Sequence, residues 1–178
     1  TRITLQSLTA EQRRAAEKAL HPIHPSNVFI SGAAGTGKSH VSKYIIQMLH
    51  GVSDDDDGEI ANSEEEEEED MKMFATVPIK RKVAAVAPTG VAAINIGGST
   101  LHSFFGIGLG LTTATSSLSS VMKKVRGNKE AVRRIEETDV LLIDEVSMLS
   151  SDLLELLDVV AREIRKVDVT MGGMQIIA

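Results

Sequence analysis

Apolar residues recur at three- and four-residue spacing in four segments of the chain, which is the pattern of amphipathic helices. The first segment follows Thr9, the second follows a glycine-rich loop, the third covers residues 128–137, and the fourth follows Ser150 or Ser151. Thr9 and Gln12 have the spacing of a capping box, so we expect the first helix to begin after Thr9. Residues 91–94 predict a further, short helix.

Four short apolar runs between these helices predict β-strands: residues 27–30, 83–87, 140–143 and 174–178. The run at 140–143 has no polar interruption, which is typical of a parallel strand covered on both faces. Strands that alternate with helices indicate an α/β fold with a mainly parallel sheet. Residues 97–120 are rich in Gly, Ser and Thr, and we interpret them mostly as loop.

Composition bounds the class of protein. The 178 residues include 25 acids, 19 bases, no cysteine and 42% hydrophobic residues, as expected of about one globular domain. No apolar run approaches the roughly 18 residues that a membrane span needs, so we predict no membrane partner. Without cysteine, neither a disulfide framework nor a thiolate zinc site is possible. The first residue is not Met, so we expect the native chain to start upstream.

The charge is distributed unevenly. Residues 54–70 contain twelve acids and no base, which leaves thirteen acids against nineteen bases elsewhere, a net charge of +6. A mildly basic domain can bind polyanions such as nucleic acid. Residues 51–71 contain too few apolar side chains to form a core, and we predict a disordered acidic insertion there. An alternative is that this insertion mimics nucleic acid or contacts a basic partner.

A phosphate-binding motif occupies residues 32–39, whose sequence GAAGTGKS satisfies GxxxxGK[ST]. Glycines allow the backbone N–H groups to point at phosphate oxygens, and the helix that follows adds its positive N-terminal dipole. Lys38 is expected to reach the β and γ phosphates, and the Ser39 hydroxyl is expected to hold Mg²⁺. The predicted nucleotide-binding residues are Gln12, Gly32, Ala33, Ala34, Gly35, Thr36, Gly37, Lys38 and Ser39.

Two acids, Asp144 and Glu145, follow the apolar run at 140–143. Ligands of α/β proteins collect at the carboxyl ends of parallel strands, so Asp144 is placed to bind Mg²⁺. Glu145 is placed to polarise an attacking water as a general base. We therefore predict Lys38, Asp144 and Glu145 as the catalytic residues, although two acids after a strand can also simply begin a solvated loop.

Several segments together resemble a known family. They are LTAEQ (8–12), GAAGTGKS (32–39), APTGVAAINIGGSTLHSFFGIG (87–108), LLIDEVSM (141–148) and GGMQ (172–175). In this order they are similar to the Pif-type (petite integration frequency) DNA helicases, the branch of superfamily 1 related to RecD. The run from residue 87 to residue 108, together with IDEVSM, makes the resemblance specific, because the phosphate-binding loop alone is generic.

The resemblance implies the first RecA-like motor domain, a P-loop NTPase fold, of a helicase that uses ATP and Mg²⁺ to move 5′ to 3′ on single-stranded DNA. Gln12 matches the glutamine that reads adenine, a role that could coexist with capping of the helix. The residues that match DNA-contacting motifs are Pro88, Thr89, Gly90, Thr100, His102, Ser103 and Phe104. His102 could instead be a structural histidine, and the Phe104 ring is expected to stack on a base.

The resemblance also implies partners and limits. Single-stranded, forked or structured DNA is the expected partner of a monomeric motor in repair, recombination or telomere maintenance, in the nucleus or mitochondrion. Such helicases continue beyond the GGMQ-like strand into a second RecA-like domain, so we expect residues 1–178 to be the N-terminal part of the motor and unable to unwind DNA alone. The alternatives are a P-loop ATPase that does not act on nucleic acid and a non-catalytic adaptor with a nucleotide fold.

Overall fold

The computed structural model describes residues 2–21, 26–33, 35–51, 81–108 and 117–178. The chain divides into two compact units, residues 1–81 and 82–178, which are described separately. The predicted insertion at residues 51–71 lies outside the described residues apart from Gly51, and Ala34 of the glycine loop also lies outside them. Within the described residues, no helix is long and apolar enough to cross a membrane.

The described residues of the first unit form two α-helices, α1 (Ala10–Leu20) and α2 (Lys38–Leu49), after a 3₁₀ turn at Leu5–Ser7. The predicted capping box at the start of α1 is confirmed. The Thr9 hydroxyl oxygen accepts from the backbone N–H of Gln12 at 3.3 Å, and the Gln12 side chain accepts from the Thr9 N–H at 2.9 Å. The apolar stripe predicted for α2 is largely buried, at Val41, Tyr44, Ile45 and Leu49.

The buried strand predicted at residues 27–30 is wrong as stated. Val28 is the single residue of this stretch that forms a β-bridge, and the Phe29 side chain is 69% exposed. Val28 and Ile30 are half-buried, whereas Asn27 and Phe29 are exposed. Alternate residues of an extended chain point to opposite sides. The stretch is therefore covered on one side, which a continuous apolar run does not reveal.

The second unit is built on a four-stranded sheet. Its strands are β1 (Val83–Ala87), β2 (Ser99–Thr100), β3 (Val140–Ile143) and β4 (Gln175–Ile177), in the order β2-β1-β3-β4. Every pairing is parallel, with Val86 opposite Ile143 and Leu141 opposite Ile176. The α/β fold with a mainly parallel sheet is thus confirmed. All carboxyl ends of these strands meet at one edge, which is where parallel sheets place their functional residues.

In the described part of the second unit, five α-helices accompany the sheet: α3 (Gly90–Asn95), α4 (Leu101–Phe105), α5 (Leu118–Gly127), α6 (Lys129–Glu137) and α7 (Ser151–Arg165). Strand β1 alternates between two apolar cores. Val86 packs into the larger core with side chains of α4 to α7, whereas Ala87 packs with Ala92 and Ala93 of α3. Helices therefore cover both sides of β1, as the fold class requires.

The loop predicted at residues 97–120 is wrong in part, because the segment contains β2, α4 and the start of α5. Thr100 caps α4 by accepting from the Ser103 N–H, and Ser117 caps α5 by accepting from the Ser120 N–H. Leu101 and Phe105 are fully buried. Hydroxyl residues favour both loops and helix N-caps, so a composition rich in Ser and Thr does not separate the two.

Candidate functional site

The glycine loop of the first unit leads directly into α2. Gly35 and Gly37 have φ values of 82° and 83°, a left-handed conformation that glycine adopts without steric cost. The Thr36 hydroxyl donates to the Ala33 carbonyl at 2.8 Å. These features curl the chain immediately before the helix, which is the conformation that the phosphate-binding motif predicts.

Lys38 lies at the first position of α2 and folds back over this loop. Its ammonium Nζ donates to the Gly32 carbonyl at 2.7 Å and to the Ala33 carbonyl at 3.1 Å. Both acceptors belong to the loop itself. A positive charge held over the loop in this way is placed to exchange carbonyl acceptors for anionic oxygens, which form stronger hydrogen bonds with an ammonium group.

The N-terminus of α2 differs from those of the other α-helices in the described part of the chain. Six α-helices have a side chain that caps the first turn, contributed by Thr9, Thr89, Thr100, Ser117, Asn128 and Ser150. Helix α2 begins after Gly37 and has no such cap. Its first N–H groups and its positive dipole end are therefore available to an external anion.

Gln12 contacts the same loop. Its side-chain Nε2 donates to the Thr36 carbonyl at 3.0 Å, while its Oε1 accepts from the Thr9 N–H. A Cβ atom at Gly37 would lie 2.6 Å from Gln12 Nε2, so the glycine allows this close approach. One side chain therefore both caps α1 and contacts the glycine loop, while its contact with adenine stays a prediction.

The two predicted acids of the second unit follow β3. The Asp144 N–H donates to the Val86 carbonyl at 2.9 Å, which extends the pairing of β3 with β1 by one residue. Glu145 then adopts a left-handed conformation (φ 54°, ψ 40°) and begins the 3₁₀ turn Val146–Met148. Non-glycine residues in this conformation are uncommon and concentrate at functional sites. Asp144 is half-buried and Glu145 is exposed.

Neither carboxylate forms a hydrogen bond or an ion pair with another described residue. The exposed Ser39 hydroxyl is likewise without a partner in the described residues. Carboxylate and hydroxyl oxygens are the ligands that Mg²⁺ prefers, and Mg²⁺ usually takes one or two of them while water and phosphate oxygens complete its octahedron. The Ser39 hydroxyl oxygen and the Asp144 carboxylate oxygens are therefore suitable ligands for the predicted Mg²⁺.

Three predicted DNA-contacting residues follow β1, the strand next to β3. Pro88 and Thr89 are half-buried and Gly90 is exposed. The Thr89 hydroxyl oxygen accepts from the Ala92 N–H at 3.2 Å, so this side chain caps α3. The segment thus lies at the carboxyl edge of the sheet with Gly90 open to solvent.

The other four predicted residues begin at the last residue of β2, Thr100, on the side of β1 away from β3. Thr100 caps α4, His102 is half-buried and Ser103 is exposed. Among the described residues, His102 has no hydrogen-bond or ion-pair partner. The His102 and Ser103 side chains are therefore free to contact a ligand. Their contact with DNA stays a prediction.

Phe104 requires a correction. Its side chain is 3% exposed and packs edge to face on Phe105, with ring centroids 5.0 Å apart and planes at 77°. Aromatic pairs favour this arrangement, and a buried ring has no free face for a base. The predicted stacking of the Phe104 ring on a base is therefore wrong. The ring instead packs into the larger apolar core and holds α4 there.

The sequence analysis missed Arg134. This side chain of α6 donates to the carbonyls of Ser103 and Phe104, at 2.9 and 3.3 Å, and so holds the C-terminal end of α4. A cation at a helix C-terminus stabilises the carbonyls that lack intrahelical partners. Thirty residues separate the partners, so no local sequence signal points to this contact.

Comparison with known proteins gives consistent matches. A family model described as PIF1-like helicase matches residues 71–178. The ATP-dependent DNA helicase PIF1 of Saccharomyces cerevisiae strain YJM789 is 39% identical over 151 residues, which cover 85% of this chain and 14% of the relative. The helicase RRM3 of Saccharomyces cerevisiae is 35% identical over 170 residues, which cover 96% of this chain and 19% of the relative.

Solved structures match over the same region. The crystal structure of Pif1 helicase from Candida albicans aligns with a TM-score of 0.72 at 34% identity, over 96% of this chain and 32% of that one. Bacteroides Pif1 bound to single-stranded DNA aligns with a TM-score of 0.62 at 28% identity, over 96% of this chain and 31% of that one. The chain therefore spans less than a third of each protein that it matches here.

Proposed function

The chain belongs to the PIF1-like helicase family, and from this membership we propose that it forms the nucleotide-binding part of an ATP-dependent DNA helicase. The protein would use ATP and Mg²⁺ to move 5′ to 3′ along single-stranded DNA and separate duplexes. The relatives named above are ATP-dependent DNA helicases, and a matched structure contains single-stranded DNA. The α/β fold and the family membership support the helicase class. The residues of the glycine loop and the acids after β3 support the use of ATP and Mg²⁺.

The glycine loop is proposed to bind the nucleotide phosphates. The uncapped N–H groups at the start of α2 would donate to phosphate oxygens, with the helix dipole favouring their negative charge. Lys38 would leave the carbonyls of Gly32 and Ala33 and pair with the terminal phosphates. Gln12, which lies against Thr36 and Gly37, would contact the adenine through the amide that now donates to the loop.

The acids after β3 are proposed to carry the hydrolytic chemistry. Asp144 and Ser39 would hold Mg²⁺, which when bound neutralises charge on the phosphate oxygens. Glu145 would orient the attacking water and accept its proton as the new bond to phosphorus forms. The left-handed backbone at Glu145 turns the chain away from the direction of β3. The two adjacent acids can therefore serve different roles.

One observation carries the coupling of this chemistry to DNA. Asp144 and Glu145 directly follow strand β3, and Pro88, Thr89 and Gly90 directly follow its neighbour β1, with Val86 opposite Ile143 in the register. Paired strands lie about 4.8 Å apart. A change at the acids on nucleotide binding would therefore be transmitted to the proposed strand-contacting segment across a single hydrogen-bonded step. Thr100, His102 and Ser103 would extend this DNA contact beyond β2.

The biological setting follows from the same proposal. We infer roles in repair, recombination or telomere maintenance on forked or structured DNA, by a monomeric motor in the nucleus or mitochondrion. The eukaryotic source of the matched yeast helicases supports this setting. We also propose that the acidic residues at 54–70 contact a basic partner.

ATP hydrolysis by the full-length protein, with and without single-stranded DNA, tests the proposal. We expect DNA to raise turnover at least tenfold. Removal of an electrostatic or acid–base group typically costs about 10²- to 10⁴-fold, so Lys38→Ala and Glu145→Gln should lose activity on that order. Lys43→Ala, which removes an exposed lysine of the same helix α2, is the control and should keep it. Turnover that ignores DNA would contradict a helicase and favour a P-loop ATPase of another kind.

A further inference from the structure

An open groove of about 560 Å³ lies beside α4 in the second unit, away from the residues assigned above. Its lining comes from the end of α4, from α5 and from the junction of α5 with α6. The lining residues are Gly106, Ser120, Lys123, Lys124, Gly127 and Asn128. Two of the six are glycines, which leave room, and the remaining four carry hydrogen-bond donors.

These donors are unengaged. Lys123 and Lys124 form no ion pair or hydrogen bond with other described residues, and the same holds for the Ser120 hydroxyl. The Asn128 Oδ1 accepts from the Ala131 N–H at 3.1 Å to cap α6, which leaves its Nδ2 group without a partner among the described residues. The groove therefore presents two ammonium groups, an amide N–H₂ and a hydroxyl.

Among the described residues, no acid lines the groove to neutralise it. Helix α5 carries Lys123, Lys124 and Arg126 and no acidic residue. Its Arg126 is already paired with Glu163 of α7 at 3.1 Å. Two bases of α6 are likewise engaged, since Arg133 and Arg134 lie against Glu130. Lys123 and Lys124 are therefore unpaired among the described residues, as is the exposed Lys129 at the start of α6, next to Asn128.

Backbone segments, and not only flexible side chains, shape the groove. Gly106 is the left-handed C-cap of α4, and the Lys124 ammonium lies directly over Gly108, where a Cβ atom would overlap it. The same short segment, residues 100–106, contains His102 and Ser103, which we propose to contact DNA. The groove and that proposed contact therefore share one helix of five residues, α4.

We infer that this groove binds phosphate groups of the nucleic-acid backbone and prolongs the DNA-binding surface beyond α4. The inference rests on the proposed helicase function. Lys123 and Lys124 neutralise the phosphates, while Ser120 and Asn128 donate to their oxygens. Contacts of this kind position a strand without reading its bases, so the groove contributes affinity and salt dependence but no sequence preference.

The test measures DNA binding by the full-length protein over a range of salt concentrations. Fluorescence anisotropy with a labelled single strand and with a duplex of equal length compares the wild type, Lys123→Ala/Lys124→Ala, and a control, Lys18→Ala/Lys43→Ala. The control removes two exposed lysines that lie outside the groove. All four lysines are exposed and unpaired among the described residues, so both variants are expected to fold, which thermal unfolding verifies.

Loss of two phosphate contacts should lower the slope of log affinity against log salt by about 1.4 on a single strand or about 1.8 on a duplex, at roughly 0.7 and 0.9 per contact. The affinity at 0.1 M salt should fall roughly 10- to 30-fold, and DNA-independent ATP turnover should be unchanged. The substrate that shows the loss identifies whether the groove binds the single strand or a duplex arm.

Three results would overturn the inference. If the groove variant matches the control on both substrates while the wild type binds DNA, the groove has no role in DNA binding and the helicase proposal survives. If the groove variant binds DNA more tightly than the wild type, the two lysines oppose DNA binding and the groove is not a phosphate site. A wild-type protein that fails to bind either DNA would overturn the helicase proposal together with this inference.

Discussion

Gly98 shows how one residue can determine the spacing of an element. It precedes β2, and a Cβ atom at this position would overlap the Ala85 carbonyl oxygen and lie 2.7 Å from the carbonyl carbon. The obstacle is the backbone of β1, which cannot rotate away as a side chain can. A side chain at residue 98 would therefore push the β2 segment, and with it the start of α4, away from the sheet.

We predict that Gly98→Ala lowers the free energy of unfolding by about 1–3 kcal/mol, the usual cost of overpacking. Urea denaturation monitored by circular dichroism measures it. Gly127→Ala is the matched control, because nothing lies within 4 Å of a Cβ at that position in the last turn of α5. Equal stability of the two variants would show that the β2 segment does not need its close approach to β1.

Individual residues were predictable where their roles are local. Thr9 and Gln12 are three residues apart, and their reciprocal hydrogen bonds follow from that spacing alone. The glycine loop has the same property, since its conformation depends on Gly35 and Gly37. Phe104 shows the limit. Whether a ring faces a base or the core depends on Phe105 and on helices distant in sequence, and the pattern of residues 101–105 does not contain that information.

At the scale of elements, Arg165 connects three segments of the second unit. This half-buried side chain of α7 donates through Nη1 to the carbonyls of Ile135 and Thr138, each at 2.7 Å, at the end of α6. Its Nε donates to the Gly172 carbonyl at 2.7 Å, in the turn Thr170–Gly173 that precedes β4. One guanidinium thus ties the end of α6 and the start of β4 to α7.

We predict that Arg165→Met lowers the free energy of unfolding by about 2–3 kcal/mol, because several partly buried carbonyls lose a charged donor. Arg165→Lys should recover part of the loss, since an ammonium cannot reproduce the planar fork. Arg126→Met is the control, because it breaks an exposed ion pair with Glu163 and should cost less than about 1 kcal/mol. Chemical denaturation checks the order; equal losses for Arg165→Met and Arg126→Met would refute the connecting role.

The surface of α6 supports a prediction about pH. The Arg133 guanidinium donates to Glu130 at 2.8 Å, and this hydrogen bond, together with the positive charge, lowers the pKa of Glu130 below its ordinary value of 4.5. A carboxyl whose pKa is lowered in the folded state stabilises the fold above its unfolded pKa and loses that contribution as the pH falls through the folded pKa. The effect is therefore complete above about pH 5 and is lost on acidification.

NMR titration of the Glu130 side-chain carboxyl should give a pKa below 4.5, and Arg133→Gln should return it toward 4.5. Arg126→Gln serves as the control, because Arg126 pairs with Glu163 and not with Glu130. An unchanged Glu130 pKa in Arg133→Gln would show that the pair does not form in solution.

Elements were predictable where periodicity and burial agree. Strand β3 is a pure apolar run buried on both faces, and its bounds match the prediction. Helix α5 was assigned in part to a loop because Ser117, Ser119 and Ser120 precede its buried residues, although one of these serines is its N-cap. The prediction for residues 27–30 is wrong for a different reason. Their apolar composition predicted burial, but the Phe29 side chain lies in solvent.

In the molecule as a whole, the sheet edge of the second unit brings together residues that we propose for two kinds of chemistry. The acids after β3 and the predicted DNA-contacting segments after β1 and β2 lie at the carboxyl ends of neighbouring parallel strands. The sequence predicted the place of the acids after β3, because ligands of parallel sheets collect at the carboxyl ends of strands, but it did not predict β2, which lies within a segment that was expected to be mostly loop. It could not predict the lysine groove, which depends on how α4, α5 and α6 pack, nor the contact of Arg134 with the end of α4.

The central claim, an ATP-driven motor that moves 5′ to 3′ on DNA, is tested most directly by strand separation. The full-length protein would be assayed on one duplex carrying a single-stranded tail at either its 5′ or its 3′ end, beside Lys38→Ala. We expect ATP-dependent separation of the 5′-tailed duplex, little separation of the 3′-tailed one, and none by Lys38→Ala. Separation of neither duplex by a protein that still hydrolyses ATP would contradict this claim.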